Sequence, residues 1–88
     1  MIVARRRVHT PKYNIALVGA VNGVNQSYAT PDKFDAATLA LYYNGQRLVR
    51  LEDFDISESF GAGSGYDTVT TAFPPRVGDR LFVDYIST

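Results

Sequence analysis

The residues of this chain that have the right chemistry for a site are few and poorly matched to one another. His9 is the only histidine, and there is no cysteine. A zinc site needs about four ligands, so a lone imidazole beside Thr10-Pro11 reads as a surface or interface histidine. Ser27, Ser57, Ser59, Ser64 and Ser87 have only that histidine to draw on as a base, and no nucleophile signature surrounds any of them. Glu52, Asp53 and Asp55 form the tightest group of acids. On an extended segment Asp53 and Asp55 share a face, the arrangement for a calcium site or an acid–base pair. The EF-hand pattern is absent, however, and nothing marks a substrate pocket. They read as solvated acids on an outward face. The glycine-rich run 61–65 lacks the Lys-Ser/Thr and the following helix of a phosphate-binding loop, and reads as a mobile hairpin tip able to touch a partner. Asn25-Gln26-Ser27 matches a glycosylation sequon, and with no secretion signal read in the sequence the match is expected to be chance. The expectation is a domain without catalytic residues, metal or cofactor.

What remains is chemistry of contact. Arg5, Arg6 and Arg7 are suited to an electrostatic arm. Extended, they alternate sides and make no continuous stripe for a phosphate backbone, so an acidic protein surface fits as well. Tyr42, Tyr43 and Tyr66 flank turns and supply rings for stacking, although aromatic residues also dominate cores and interfaces. Arg47 falls opposite Tyr42 in the hairpin described below. The partner-binding set drawn from the sequence is Arg5, Arg6, Arg7, Tyr42, Arg47 and Tyr66.

The elements that must position these residues belong to one small domain. The chain has 88 residues, 45% of them hydrophobic, enough for a thin core that leaves much of the surface in water. Without disulfides or zinc, partner subunits are the remaining common source of extra stability. Nine basic residues balance nine acidic ones, which argues against a general nucleic-acid binder. The distribution is uneven. Residues 1–12 hold Arg5, Arg6, Arg7 and Lys12 and no acid, whereas residues 51–67 hold Glu52, Asp53, Asp55, Glu58 and Asp67 and no base. That polarity suits head-to-tail contacts between copies or docking on a charged neighbour; two solvated patches are the plainer alternative. No apolar run approaches the roughly 20 residues of a membrane span, and the N-terminus lacks the shape of a secretion signal, so a cytosolic protein, or one in a particle assembled there, is expected.

Gly, Pro, Asn and Asp recur between short runs of β-branched and aromatic residues, the pattern of an all-β domain. Residues 38–43 and 46–51 flank Asn44-Gly45, the favoured pair for a two-residue type I′ turn. In that register Leu41 faces Leu48 and Tyr42 faces Arg47. Neither face of this hairpin is cleanly polar, so either both are covered within the domain or one meets another subunit. Phe54 and Ile56 alternate with acids as in a half-buried strand. A strand over 68–73 ends at Pro74-Pro75, and a last strand over 80–86 turns Leu81, Val83 and Tyr85 one way. Earlier in the chain, 15–18 and 26–30 predict short strands, the second stopped by Pro31-Asp32. The expectation is an antiparallel β-sandwich, or a strongly curved barrel, over 13–88, preceded by an extended basic arm or edge strand over 1–12.

One pattern is more specific. It runs Gly19-Ala20-Val21-Asn22-Gly23-Val24-Asn25 with Tyr28 and Thr30-Pro31, then Leu39-Ala40-Leu41-Tyr42-Tyr43-Asn44-Gly45-Gln46-Arg47, then Asp53-Phe54, then Pro75-x-x-Gly78-Asp79-x-Leu81-x-Val83-Asp84-Tyr85. In order and spacing it resembles a small β-sandwich module of tailed-phage virion proteins, often embedded in tail fibres and related appendages. The resemblance covers residues 19–86. It departs from the module at Asn22, where Asp is common, and in being expected to stand alone rather than within a long fibre.

The resemblance implies a scaffold and no active site. The function it implies is that of a non-enzymatic structural protein of the virion, assembled in the host cytoplasm. Its place would be the neck or collar, the tail or fibre base, or the capsid surface as a decoration. Its partners would be other virion proteins and copies of itself, with no membrane and no nucleic acid. A receptor- or glycan-binding module on an appendage is the alternative. A small single-strand-binding barrel would need a basic, aromatic-lined groove, against which the zero net charge counts.

Overall fold

Asn44-Gly45 makes the turn its sequence demands. Both residues lie at positive φ, 49° and 87°, the type I′ combination whose twist matches that of the flanking strands. Tyr42 pairs with Arg47, and Leu48 N–H donates to Leu41 O at 2.9 Å, so the register is the expected one. The computed structural model describes residues 10–88. Arg5, Arg6, Arg7 and His9 lie outside the described residues.

Seven strands follow in chain order: β1 (Pro11–Ala16), β2 (Ser27–Phe34), β3 (Ala40–Tyr43), β4 (Gln46–Arg47), β5 (Phe54–Ser57), β6 (Tyr66–Thr71) and β7 (Leu81–Ile86). They form two antiparallel sheets, one ordered β1-β7-β3-β4 and the other β2-β6-β5. The chain is an all-β sandwich, with no helix among the described residues. Its flanks are partly closed, as in a curved barrel. Beyond β1, Val18 and Ala29 exchange N–H···O bonds, both 2.8 Å, which lays the chain against β2. Beyond β7, Ser87 bridges Phe34. On the other flank Leu51 N–H donates to Phe54 O at 2.7 Å.

The alternation of apolar residues decides which side of each strand is covered. β7 alternates strictly, with Leu81, Val83 and Tyr85 buried and Phe82, Asp84 and Ile86 on the opposite face. Leu41 from β3, Phe54 and Ile56 from β5, Val69 from β6, and Tyr28 and Phe34 from β2 meet them in one core. Full burial of such a side chain is worth about 1.5–3 kcal/mol. The polar groups carried inside are bonded. Thr71 Oγ1 donates to Phe73 O at 2.5 Å, and Tyr85 Oη donates to Asp32 Oδ2 at 3.1 Å. Burial, reinforced by that carboxylate, pushes the Tyr85 phenol up to about 12.

Three elements differ from the sequence expectation. The first strand begins at Pro11 rather than Ile15, so Pro11 and Lys12, at the end of the segment read as an arm or edge strand, pair with Ile86 and Tyr85. β2 is not stopped by Pro31 but continues to Phe34, with a register shift between Ala29 and Phe34. β2 is an edge strand, where the missing proline N–H costs no ladder bond. β4 is only two residues long. Val49 and Leu51, within the expected strand 46–51, are instead exposed in a turn closed by Asp53 N–H on Val49 O at 2.8 Å and by Val49 N–H on Asp53 Oδ2 at 2.8 Å.

Candidate functional site

Three turns converge at one end of the sandwich: 22–25 before β2, Asn44-Gly45 between β3 and β4, and 76–79 before β7. The side chains that hold them are Asn and Asp, whose short acceptors reach nearby backbone N–H groups. Asn22 Oδ1 accepts the N–H groups of Val24 and Asn25, both at 2.9 Å. Asn25 Nδ2 donates to Ser27 O at 2.8 Å. Tyr28 Oη donates to Asn25 O at 3.0 Å, and Gly23 N–H donates to Pro75 O at 2.7 Å, tying the first turn to the third. Gly19 is required for this packing. A Cβ there would stand 2.7 Å from the Tyr28 ring, on a backbone at φ 153°.

Asp79 joins the second turn to the third. Its Oδ2 accepts the Tyr43 hydroxyl at 2.5 Å and the Arg76 N–H at 2.8 Å, and its Oδ1 accepts Asn44 Nδ2 at 3.0 Å. Asn44 Oδ1 in turn accepts Arg80 N–H at 2.8 Å. The Tyr43 hydrogen bond, followed by those from Asn44 and Arg76, holds the Asp79 carboxyl below the usual carboxylate range. The same bond to Asp79 raises the Tyr43 phenol. At neutral pH the acid is ionised and the phenol protonated, so the pair is not poised for proton transfer. Beside it opens a cleft of about 530 Å³ lined by Gly23, Tyr43, Phe73, Pro74, Arg76 and Asp79. The Tyr43 and Phe73 rings meet edge to face in its wall, with centroids 4.9 Å apart. It offers ring faces and guanidinium donors, which is chemistry for holding a polar, ring-shaped ligand.

The second candidate is the outer face of the four-stranded sheet. Residues Ala16, Phe82, Tyr42 and Arg47 fall in one cross-strand row, through the pairs Ala16↔Phe82, Phe82↔Tyr42 and Tyr42↔Arg47. Asp84 and Ala40 form the next row on the same face. Opposed aromatic side chains of this kind support one another laterally. Neither sheet of the described residues lies over them, since the core is on the opposite side. The structure therefore brings together two of the residues chosen from sequence, Tyr42 and Arg47. It adds Phe82 and Ala16, which sequence reasoning passed over. The signal for Phe82 was present, because it alternates out of phase with Leu81, Val83 and Tyr85.

Tyr66 is not part of this face. It lies in β6 of the other sheet, packs against the core, and its ring stands 6.2 Å from Phe34. The acids considered from sequence do not converge. Asp53 closes the turn at Val49, Asp55 pairs with exposed Arg50 at 3.8 Å, and Glu52 is exposed. Among the described residues no group of three or more His, Cys, Asp or Glu could hold a metal ion. The glycine-rich connection is more structured than a bare tip. Gly65 N–H donates to Glu58 Oε2 at 2.8 Å, Ser59 N–H and Oγ donate to Asp67 at 2.9 and 2.5 Å, and Lys33 Nζ donates to Ser64 O. Comparison of the chain with protein-family models, curated proteins and solved structures finds no significant match.

Proposed function

We propose that this domain is a non-enzymatic structural component of a tailed-phage particle, assembled through protein–protein contacts at the neck or collar, the tail or fibre base, or the capsid surface. The observation that carries the reading is the row of Phe82, Tyr42 and Arg47, which presents two neighbouring rings and a cation on a sheet face with no covering layer among the described residues. Buried aromatic and Arg anchors dominate protein interfaces. The pattern that resembles the phage module supports it from a second direction. Its residues Asn22, Asn25, Tyr28, Asn44, Gly45 and Asp79 build the linked turns of one end and so act as scaffold. The basic segment 1–9 would dock on an acidic neighbour.

Mass spectrometry of particles purified from the host bacterium tests the proposal. The chain is expected in a fixed copy number that survives salt washing, and deletion of residues 1–9 is expected to lower that number. Finding the chain only in the soluble lysate would overturn the assignment.

The cleft beside Tyr43 and Phe73 favours one second reading, a glycan-binding module on an appendage. Its rings would stack on sugar faces and Arg76 would bond hydroxyls. Binding on a glycan array that is lost with Phe73→Ala supports it, and a silent array removes it.

A further inference from the structure

We infer that the outer face of the four-stranded sheet pairs with the same face of a second copy of this chain, about a two-fold axis that runs parallel to the strands between β7 and β3. The inference rests on the assembly reading above and adds to it a surface, a partner and a symmetry.

Across the sheet the row runs Ala16 on β1, Phe82 on β7, Tyr42 on β3, Arg47 on β4. It is small at one end, aromatic in the middle, and long and cationic at the other end. Sheets that pack face to face keep their strands within about 30° of one another, so a two-fold axis in the interface can lie along the strands or across them. Across the strands, each residue of the row meets its own copy, and Arg47 faces Arg47. Like charges so placed are destabilising. Along the strands the row is reversed. Phe82 then lies over Tyr42 of the second copy, and Arg47 lies over Ala16.

Ala16 leaves room for that arginine. A hollow of about 230 Å³ opens beside it, walled in part by Leu17, Val21 and Phe82, with Asp79 and Arg80 also at its lining. Apolar walls suit the methylenes of an arginine whose head stays polar. The carboxylate of Asp84 sits on β7 next to β1, one row further on the same face. A diagonal step of that kind is about 7–8 Å, within reach of a long side chain. One of the two alternatives therefore matches charge with charge and size with space, and the other repels.

Strands of 6, 6, 4 and 2 residues, about 4.8 Å apart and rising about 3.3 Å per residue, present on the order of 300 Å². A stable interface buries about 800 Å² per partner. The pair is thus expected to be weak in isolation and to count where many copies are held together, as in a particle.

Sedimentation equilibrium of the full chain, up to about 1 mM, tests this. Ala16 and Arg47 are both exposed, on edge strands, so their variants are expected to fold, with far-ultraviolet circular dichroism as the check. The wild type should form a concentration-dependent dimer. Ala16→Arg should weaken it at least tenfold, as expected for like charges brought together at an interface. Ala16→Arg combined with Arg47→Glu should restore it to within about threefold of wild type, because each new arginine then faces a new glutamate. A strict monomer at every concentration would overturn the inference, as would a dimer that ignores Ala16→Arg. So would a dimer strengthened by Arg47→Ala alone, which removes a like-charge contact and points to the axis across the strands. A dimer seen only after deletion of residues 1–9 would make that segment the occupant of the face and overturn self-pairing. Particle composition is measured separately, so failure here and failure of the virion reading are distinguishable.

Discussion

The two ends of the sandwich use the same residue types for different purposes. Both are turns rich in Asn, Asp, Ser and Gly. At the β5–β6 end most bonds close the loop that contains them, Ser64 N–H to Gly61 O, Gly65 N–H to Glu58 and Ser59 to Asp67, with Lys33 Nζ on Ser64 O a side-chain tie from β2. Its large apolar residue, Phe60, is 81% exposed under the Lys33 ammonium, 5.7 Å from the ring centroid. At the opposite end the bonds run between turns. Asp79 reaches Tyr43 and Asn44 across 36 and 35 residues of sequence, and Gly23 reaches Pro75. The first end is a loop closed mainly by its own bonds and pinned to β2 by Lys33. The second is a single tied unit assembled from three separated segments.

This difference yields predictions in descending size. Gly19→Ala should be the most damaging, because the new Cβ collides with the Tyr28 ring on a backbone that disfavours side chains. A loss of about 2–4 kcal/mol in urea unfolding is expected. Asp79→Ala should lower Tm by roughly 10 °C, since several bonds and two turns lose their common acceptor. Asp67→Ala at the other end should lower Tm by only about 3–5 °C, because its bonds serve the local loop. An equal loss from Asp67 and Asp79 would break the comparison. The smallest effect is a gain. Leu51 is exposed and held at φ 73°, so Leu51→Gly should raise stability by about 0.5–1 kcal/mol.

Acid should act on both ends. Asp79 and Asp67 both have folded values below the ordinary carboxylate range, through Tyr43 and through Ser59 respectively. A depressed value means that the stabilising bonds are fully present above the ordinary value of about 3.9 and are lost as pH falls through the folded value. The Tm gap between wild type and Asp79→Ala should therefore narrow between about pH 5 and pH 2. Tyr85 acts at the other extreme. Its folded value is raised to about 12, so its contribution holds below about pH 10 and is lost as pH rises through 12.

The parts of this fold that could be read in the sequence were those where one local rule acts alone. Asn44-Gly45 specified its turn, and the alternation in β5 and β7 specified their buried faces. The extent of β1 and β2 could not be read, because both depend on what lies beside them. Pro11 and Lys12 join the sheet by pairing with β7, and Pro31 is tolerated because β2 is an edge. The quoted pattern located the residues of the tied end. It did not reveal that Asp79 and Asn44 touch, since nothing local links positions 35 residues apart. Of the contact residues, Tyr42 and Arg47 followed from hairpin register, whereas Phe82 needed the β3–β7 pairing.

The central claim is that the polar side chains which most resemble a site are engaged in tying three turns into one unit. Native-state hydrogen exchange of wild type and Asp79→Asn tests it most directly. The amides of Arg76, Arg80 and Asn44, together with Gly23 through Pro75, should accelerate together in the variant, while those of Ser59 and Gly65 keep their wild-type rates. Acceleration confined to Arg76 would mean that the three turns stand independently and would contradict the account.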